Sequence, residues 1–359
     1  MLKNLKSWYD GFRGSGDYAI TVPPMDGALR PNNAIEEANR LVDWKTPDNV
    51  VVGGLTVWFS SKNDLICIEA NKVPKIKASY DSPISALSEK DGALSVALTS
   101  GEITIIGGQY DKRHFKFSSQ LPFNCPVAIT FLDAGTLLIA NGSSSHRPEE
   151  WRHDLLTNMT TGSIWQLDLN TGKVDCLADK LAWPCGLSPQ EDGTLLISEA
   201  WRSQVILLRQ DAKTEPVLTD LPAYPSGIIA AKDGGYWLTM FAPRRRLTEL
   251  VMREPAYRDR MMAEIEPDYW ISPSLKPMQS YYEPLQGGTL KKLAMLKPWA
   301  PSRSYGLVVR LSKDFGILSS YHSRADGTRH GISSCAEMNG QLLLASTGGD
   351  AIVSLNPEV

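Results

Sequence analysis

A single local pattern recurs along this chain: a turn typically carrying Asp-Gly or Asn-Gly, a short β-rich run, a small polar break, then a second β-rich run. Each copy reads as a pair of antiparallel strands. Asp91-Gly92 precedes the run 93–106, Ala134-Gly135 precedes 136–142, and Asp192-Gly193 precedes 194–208. Asp233-Gly234 precedes 235–241, Asn339-Gly340 precedes 341–355, and a more divergent copy spans 46–69. Successive turn glycines at 92, 135, 193 and 234 are about 40 to 60 residues apart, the length of a four-stranded blade with variable loops. Six copies predict an all-β chain, a six-bladed β-propeller, filling 1–359 as one domain.

The interval from Gly234 to Gly340 is about twice the others and holds a different kind of sequence. Residues 243–304 turn helix-like and loop-like, with Leu247, Leu250 and Val251 at helical spacing. They predict a helical and loop insertion in the fifth blade, capping one face. A ring also needs closure, since an open last sheet leaves an unpaired edge. The N-terminal segment 1–45 is expected to close the last blade, with Tyr18-Ala19-Ile20-Thr21-Val22 as the candidate strand.

Composition narrows the function classes. A net charge of -3 and one basic run of three, Arg244-Arg245-Arg246, leave no footprint for nucleic acid; a salt-bridged or solvated run is the expected reading of those arginines. Five dispersed cysteines (Cys67, Cys125, Cys176, Cys185, Cys335) have neither a CxxC pair nor zinc-finger histidines. The N-terminus lacks the apolar run of a signal peptide, and no apolar stretch reaches membrane-spanning length. The expectation is a cytoplasmic protein with a small-molecule ligand and no nucleic-acid or membrane partner. No Walker motif or strand-linked dinucleotide fingerprint is present.

Several segments, in order, resemble strictosidine-synthase-like proteins, within the broader propeller superfamily of gluconolactonases and paraoxonases. Glu149-Glu150-Trp151-Arg152-His153-Asp154 and the run 161–172 resemble that family's third blade. Residues 181–208, with Trp183-Pro184-Cys185-Gly186-Leu187, resemble its fourth, and 221–246, with Tyr224-Pro225-Ser226-Gly227, its fifth. Tyr305-Gly306-Leu307 with 333–346 resembles the sixth. The resemblance implies calcium at the channel top, held by Glu, Asn and Asp oxygens. Here Asp48 keeps an acid beside Asn49, whereas Cys185 replaces an Asn, Ser226 replaces an Asp, and Pro126-Val127-Ala128-Ile129 supplies no ligand. One carboxylate does not satisfy calcium, which takes six to eight oxygens, so no cofactor is certain and a divalent metal (calcium) on Asp48 is possible but disfavoured. The glutamate that the name-giving condensation uses falls on Ser333, and Glu337 matches a turn acid.

The resemblance places Asp48, Asn49, Cys185, Ser226, His330 and Ser333 around the channel axis. Two bases follow, His330 and Asp48, together with a Cys185 nucleophile if a histidine takes its proton; the plain alternative for Cys185 is a small buried hydrophobe. Neither Ser226 nor Ser333 has the elbow of a hydrolase serine; Ser226, Ser333 and Asn49 with Trp183, Tyr224 and Trp151 are expected to line the pocket. The leading reading is a hydrolase of a lactone or ester. A metal-free lyase, isomerase or condensing enzyme is the alternative, as is a non-catalytic metabolite- or protein-binding propeller.

Overall fold

The computed structural model describes residues 21–69, 73–280, 282–284, 291–292, 295–296 and 302–357. Six four-stranded antiparallel sheets form the blades, and Lys291–Lys292 with Met295–Leu296 make a separate two-stranded ladder in the insertion. Blade 1 consists of Pro47–Gly53, Thr56–Ser61, Asp64–Ile68 and Pro74–Ser79. Blade 2 consists of Ile84–Lys90, Ala93–Leu98, Ile103–Ile106 and His114–Phe115, and blade 3 of Pro126–Asp133, Thr136–Asn141, Gly162–Asp168 and Val174–Leu181. Blade 4 holds Pro184–Pro189, Leu195–Glu199, Gln204–Leu208 and Thr214–Leu218. Blade 5 holds Ala223–Ala230, Tyr236–Pro243, Leu307–Leu311 and Ile317–His322. Blade 6 is Ile332–Met338, Gln341–Ser346 and Ala351–Leu355, completed by Asn39–Asp43. The first strand of each blade touches the first strand of the next, and blade 6 touches blade 1, so the ring is closed.

Each recurring turn joins the first strand of a blade to its second. At Asp91-Gly92 both residues are left-handed (φ 50° and 82°), and at Asn339-Gly340 likewise (52° and 76°); such a two-residue turn matches the twist of the strands it joins. The second strands read as unbroken apolar runs because neighbouring blades cover both of their faces. Thr136–Asn141 is buried at five successive positions. Leu138, Ala140 and Ile164 pack with Leu187, Leu195 and Ile197 of the next blade.

Closure differs from the expectation in its detail. The strand that completes blade 6 is Asn39–Asp43, pairing Asn39 with Ser354 and Asp43 with Ala351. Thr21 and Val22 are in no strand, and Tyr18, Ala19 and Ile20 lie outside the described residues.

The long insertion leaves blade 5 between its second and third strands. It forms helices α2 (Arg246–Arg253) and α3 (Pro255–Glu264), and α1 (Trp151–Thr157), from the long loop of blade 3, packs against α2. Leu156, Val251, Met261 and Trp270 make the core of this cap. Val251 faces that core as the spacing predicts, whereas Leu250 is 42% exposed. The cap sits on the ring through a close backbone approach: a Cβ at Gly348 would lie 1.9 Å from the Leu275 carbonyl oxygen, and one at Gly331 (φ 66°) 2.6 Å from the same atom. Only glycine lets the two backbones meet there.

A buried polar link ties cap to ring. Trp201 Nε1 donates to Asp154 Oδ1 at 2.8 Å, and Asp154, 1% exposed, also meets His146 Nδ1 at 3.0 Å. Trp201→Phe keeps an aromatic ring in the stack but removes the donor and part of the buried indole. It is expected to lower unfolding stability by about 1–3 kcal/mol, the usual penalty for a buried acceptor losing a partner; an unchanged urea midpoint would show that the bond contributes nothing.

Candidate functional site

Every innermost strand begins with the same irregularity. Its register slips at Asp48/Val51, Ile84/Ala86, Pro126/Ala128, Pro184/Gly186, Pro225/Ile228 and Ile332/Ser334. Such bulges release residues from ladder pairing and re-aim their side chains. The residues released are Asn49 and Val50, Ser85, Val127, Cys185, Ser226 and Gly227, and Ser333, one set per blade at one level of the ring. Four of the six sequence-predicted axial residues are therefore bulge residues, and Asp48 adjoins the first bulge.

Hydrogen bonds join them across blades. Ser333 Oγ donates to Asp48 Oδ1 at 2.5 Å and lies 3.1 Å from Thr347 Oγ1. Ser226 Oγ donates to the Ser333 carbonyl at 2.8 Å, and Ser198 Oγ donates to the Ser226 carbonyl. Cys185 Sγ donates to the Pro225 carbonyl at 3.2 Å. Asn49 Nδ2 donates to Ser60 Oγ at 2.9 Å. Asp48, Asn49, Cys185, Ser226 and Ser333 thus converge from blades 1, 4, 5 and 6.

Asp48 is the chemically distinctive member. Its Oδ1 accepts from the Asn49 backbone N–H at 2.7 Å as well as from Ser333, and no described group donates to Oδ2. Burial raises its pKa above the ordinary value of 3.8, outweighing the Ser333 and Asn49 hydrogen bonds that pull it down. The side chain is half-buried, and its neighbour Asn49 lines the axial channel. Below it a cavity of about 440 Å³ runs along the axis, lined by Asn49, Cys185, Gly227 and Ser334 at one end and by Glu89, Lys232 and Glu337 at the other. That volume suits a small organic molecule.

Other expected roles need correction. His330 does not join the group. It is 1% exposed, its Nδ1 accepts from Ser304 Oγ at 2.7 Å and its Nε2 donates to the Arg324 carbonyl at 2.6 Å. With both nitrogens engaged and burial lowering its pKa, it is a structural histidine, not a base. Cys185 meets no histidine; burial pushes its thiol up to about 12, so it carries no thiolate near neutral pH. Trp183, Tyr224 and Trp151 do not line the axial cavity. They stack with Trp201 and Phe241 (Trp183–Trp201 centroids 5.2 Å, Tyr224–Phe241 5.8 Å) into a plug against which Leu275 of the insertion packs.

The donor set does not fit calcium. Asp48 is the sole carboxylate in this bulge ring, one of its oxygens already accepts two hydrogen bonds, and its ring neighbours are one amide (Asn49), a thiol, hydroxyls and Val127, too few oxygens for calcium. No group of three His, Cys, Asp or Glu side chains among the described residues is arranged to hold a metal. Ser85 was missed by sequence reasoning. Its hydroxyl is enclosed and without a partner among the described residues, and Ile84-Ser85-Ala86 repeats the Ile332-Ser333-Ser334 entry of blade 6, a signal the sequence does carry.

With the ring and its axial residues placed, comparison with known proteins is informative. The strictosidine synthase family profile matches residues 128–209. The chain is 23% identical over 250 residues to adipocyte plasma membrane-associated protein of Bos taurus, covering 62% of this chain and 61% of that protein. It is 22% identical to strictosidine synthase-like 2 of Arabidopsis thaliana, covering 71% and 62%. The chain resembles strictosidine-synthase-like proteins in sequence and gluconolactonase-type propellers in fold. Each alignment spans less than two thirds of the relative's own length. Among solved structures, a calcium-binding regucalcin of Agrobacterium tumefaciens superimposes with a TM-score of 0.55 at 13% identity, covering 90% of this chain and 94% of that one. A gluconolactonase of Xanthomonas campestris gives 0.55 at 12%, covering 93% and 96%. These likenesses support the six-bladed architecture.

Proposed function

We propose that this strictosidine-synthase-like propeller hydrolyses a small uncharged lactone or ester at the axial bulge ring, with Asp48 as general base. One observation carries the reading: a carboxylate with Oδ1 pinned by two donors, Oδ2 unengaged by any described group, and a pKa raised by burial. Pinning fixes the orientation, and a raised pKa strengthens the base. Asp48 Oδ2 takes a proton from water as the water oxygen attacks the carbonyl carbon; the C–O bond then breaks, and the proton passes to the leaving alkoxide. Asn49 gives one amide hydrogen to Ser60 and has a second to offer the developing oxyanion. A neutral substrate is favoured because no cation pairs with Asp48 in the ring and an anion would meet its charge unscreened. The gluconolactonase-type neighbours support this choice of chemistry by analogy of fold.

Turnover on a panel of uncharged five- and six-membered lactones and phenyl esters tests the reading. We expect activity on at least one substrate that is indifferent to EDTA. A panel without turnover, or activity removed by the chelator and restored by calcium, would sink the metal-free mechanism.

A further inference from the structure

Arg245 lies away from the axial ring, at the start of the cap. It is 2% exposed, and Nε, Nη1 and Nη2 all lack a hydrogen-bond partner among the described residues. Its neighbours in the run behave otherwise: Arg244 pairs with Asp220 at 2.6 Å and Glu249 at 2.9 Å, and Arg246 is exposed. A guanidinium shut away from water without an anion is among the costlier features a fold can carry. Burial first, and then the charge of Arg303, lowers its pKa to about 10, which leaves it protonated at neutral pH. Tyr224, whose hydroxyl feels the Arg245 charge, and Thr248, three residues on, also present enclosed, unpartnered oxygens.

Arg303 completes the picture. Its Nε donates to the Ser272 carbonyl at 3.1 Å and its Nη1 to the Asp268 carbonyl and to Glu283 Oε2 at 2.8 Å, while Nη2 is unpartnered. Glu283 thus compensates Arg303, and among the described residues the charge of Arg245 is left over. Both arginines line a cavity of about 120 Å³ whose other walls include Pro277, Met278 and Ala325. The remaining charged or titratable groups there are engaged: Asp326 pairs with Arg324 through both oxygens, and both His330 nitrogens are bonded. Arg245 and Ala325 also border a cleft of about 760 Å³ between the N-terminal segment and blade 5.

We propose that this cavity is a binding site for a small organic monocarboxylate, held by the Arg245 guanidinium with Arg303 Nη2 as a further donor. One uncompensated positive charge calls for one negative charge, and the planar fork of arginine matches a carboxylate bidentately. The apolar walls accept a short aliphatic tail and disfavour a hydrated dianion such as phosphate. The site is separate from the axial ring and stands whether or not the chain hydrolyses esters.

Calorimetric titration and thermal melts of the full chain with propanoate, and with inorganic phosphate as comparison, test the proposal. The parent chain should bind propanoate saturably and melt higher in its presence. Arg245→Met should weaken that binding at least about tenfold while melting no lower than the parent without propanoate, since it removes an unpaired buried charge. Ala325→Leu, which fills the cavity and leaves both guanidinium groups in place, should weaken it to a similar degree and decides the matter if Arg245→Met does not fold. Absence of saturable propanoate binding by the parent chain overturns the proposal. So does propanoate binding undiminished in the variants, or phosphate binding as tight as that of propanoate.

Discussion

Asp48→Asn is expected to slow hydrolysis of the best lactone or ester by about 10²–10⁴-fold, the usual contribution of a positioned general base, while leaving the protein folded. The amide oxygen can still accept from the Asn49 backbone and from Ser333, so the bulge geometry is kept. In the parent chain, activity should rise with pH through a midpoint above the ordinary carboxylate range, because burial raises the Asp48 pKa and a base works only when ionised. Stability should move the other way. Between the ordinary value of 3.8 and the raised one, the folded chain holds a proton that the unfolded chain has lost, so stability falls as pH rises through that window and stays reduced above it. The variant, with nothing to ionise, should therefore match or exceed the parent's melting temperature at pH 8 and lose that advantage below the window. A rate within about threefold of the parent, set against the expected 10²–10⁴-fold loss, would remove Asp48 from the mechanism.

Removing residues 1–45 should have the largest effect on folding. It strips Asn39–Asp43 from blade 6 and uncovers Ala351–Leu355, a strand buried at all five positions, with Ile352 and Val353 at 0% exposure. A long apolar edge pairs with other copies of itself, so the truncated chain is expected in the insoluble fraction or as aggregates by size exclusion. A monomeric, cooperatively melting truncation would show that the ring holds together without this strand.

The blades were legible because each repeats one physical event: a glycine-bearing turn between two strands that neighbouring sheets cover on both faces. The closing strand was not. Asn39–Asp43 is half-buried or exposed at every position and has no turn glycine nearby, whereas Tyr18-Ala19-Ile20-Thr21-Val22 reads as a far better strand by composition. Pairing to the far end of the chain, not local propensity, selects the former. The site shows the same limit. Asp48 and Ser333 stand out individually, but their contact joins residues 285 apart and exists only because the ring closes. His330 looks like a base until Ser304, supplied by the end of the insertion, takes its second nitrogen. The buried charge of Arg245 is hidden in a run whose other two members behave as expected of a basic surface stretch.

The slip at the start of every inner strand has a consequence for how such a protein changes over generations. Asn49, Ser85, Val127, Cys185, Ser226 and Ser333 stand outside the ladder pairing, so exchanging one of them need not disturb the sheet that carries it. Six such places around one axis let chemistry drift while architecture is conserved. A single replacement at one of these places changes the group offered to the axis while every ladder pair of its blade stays in place.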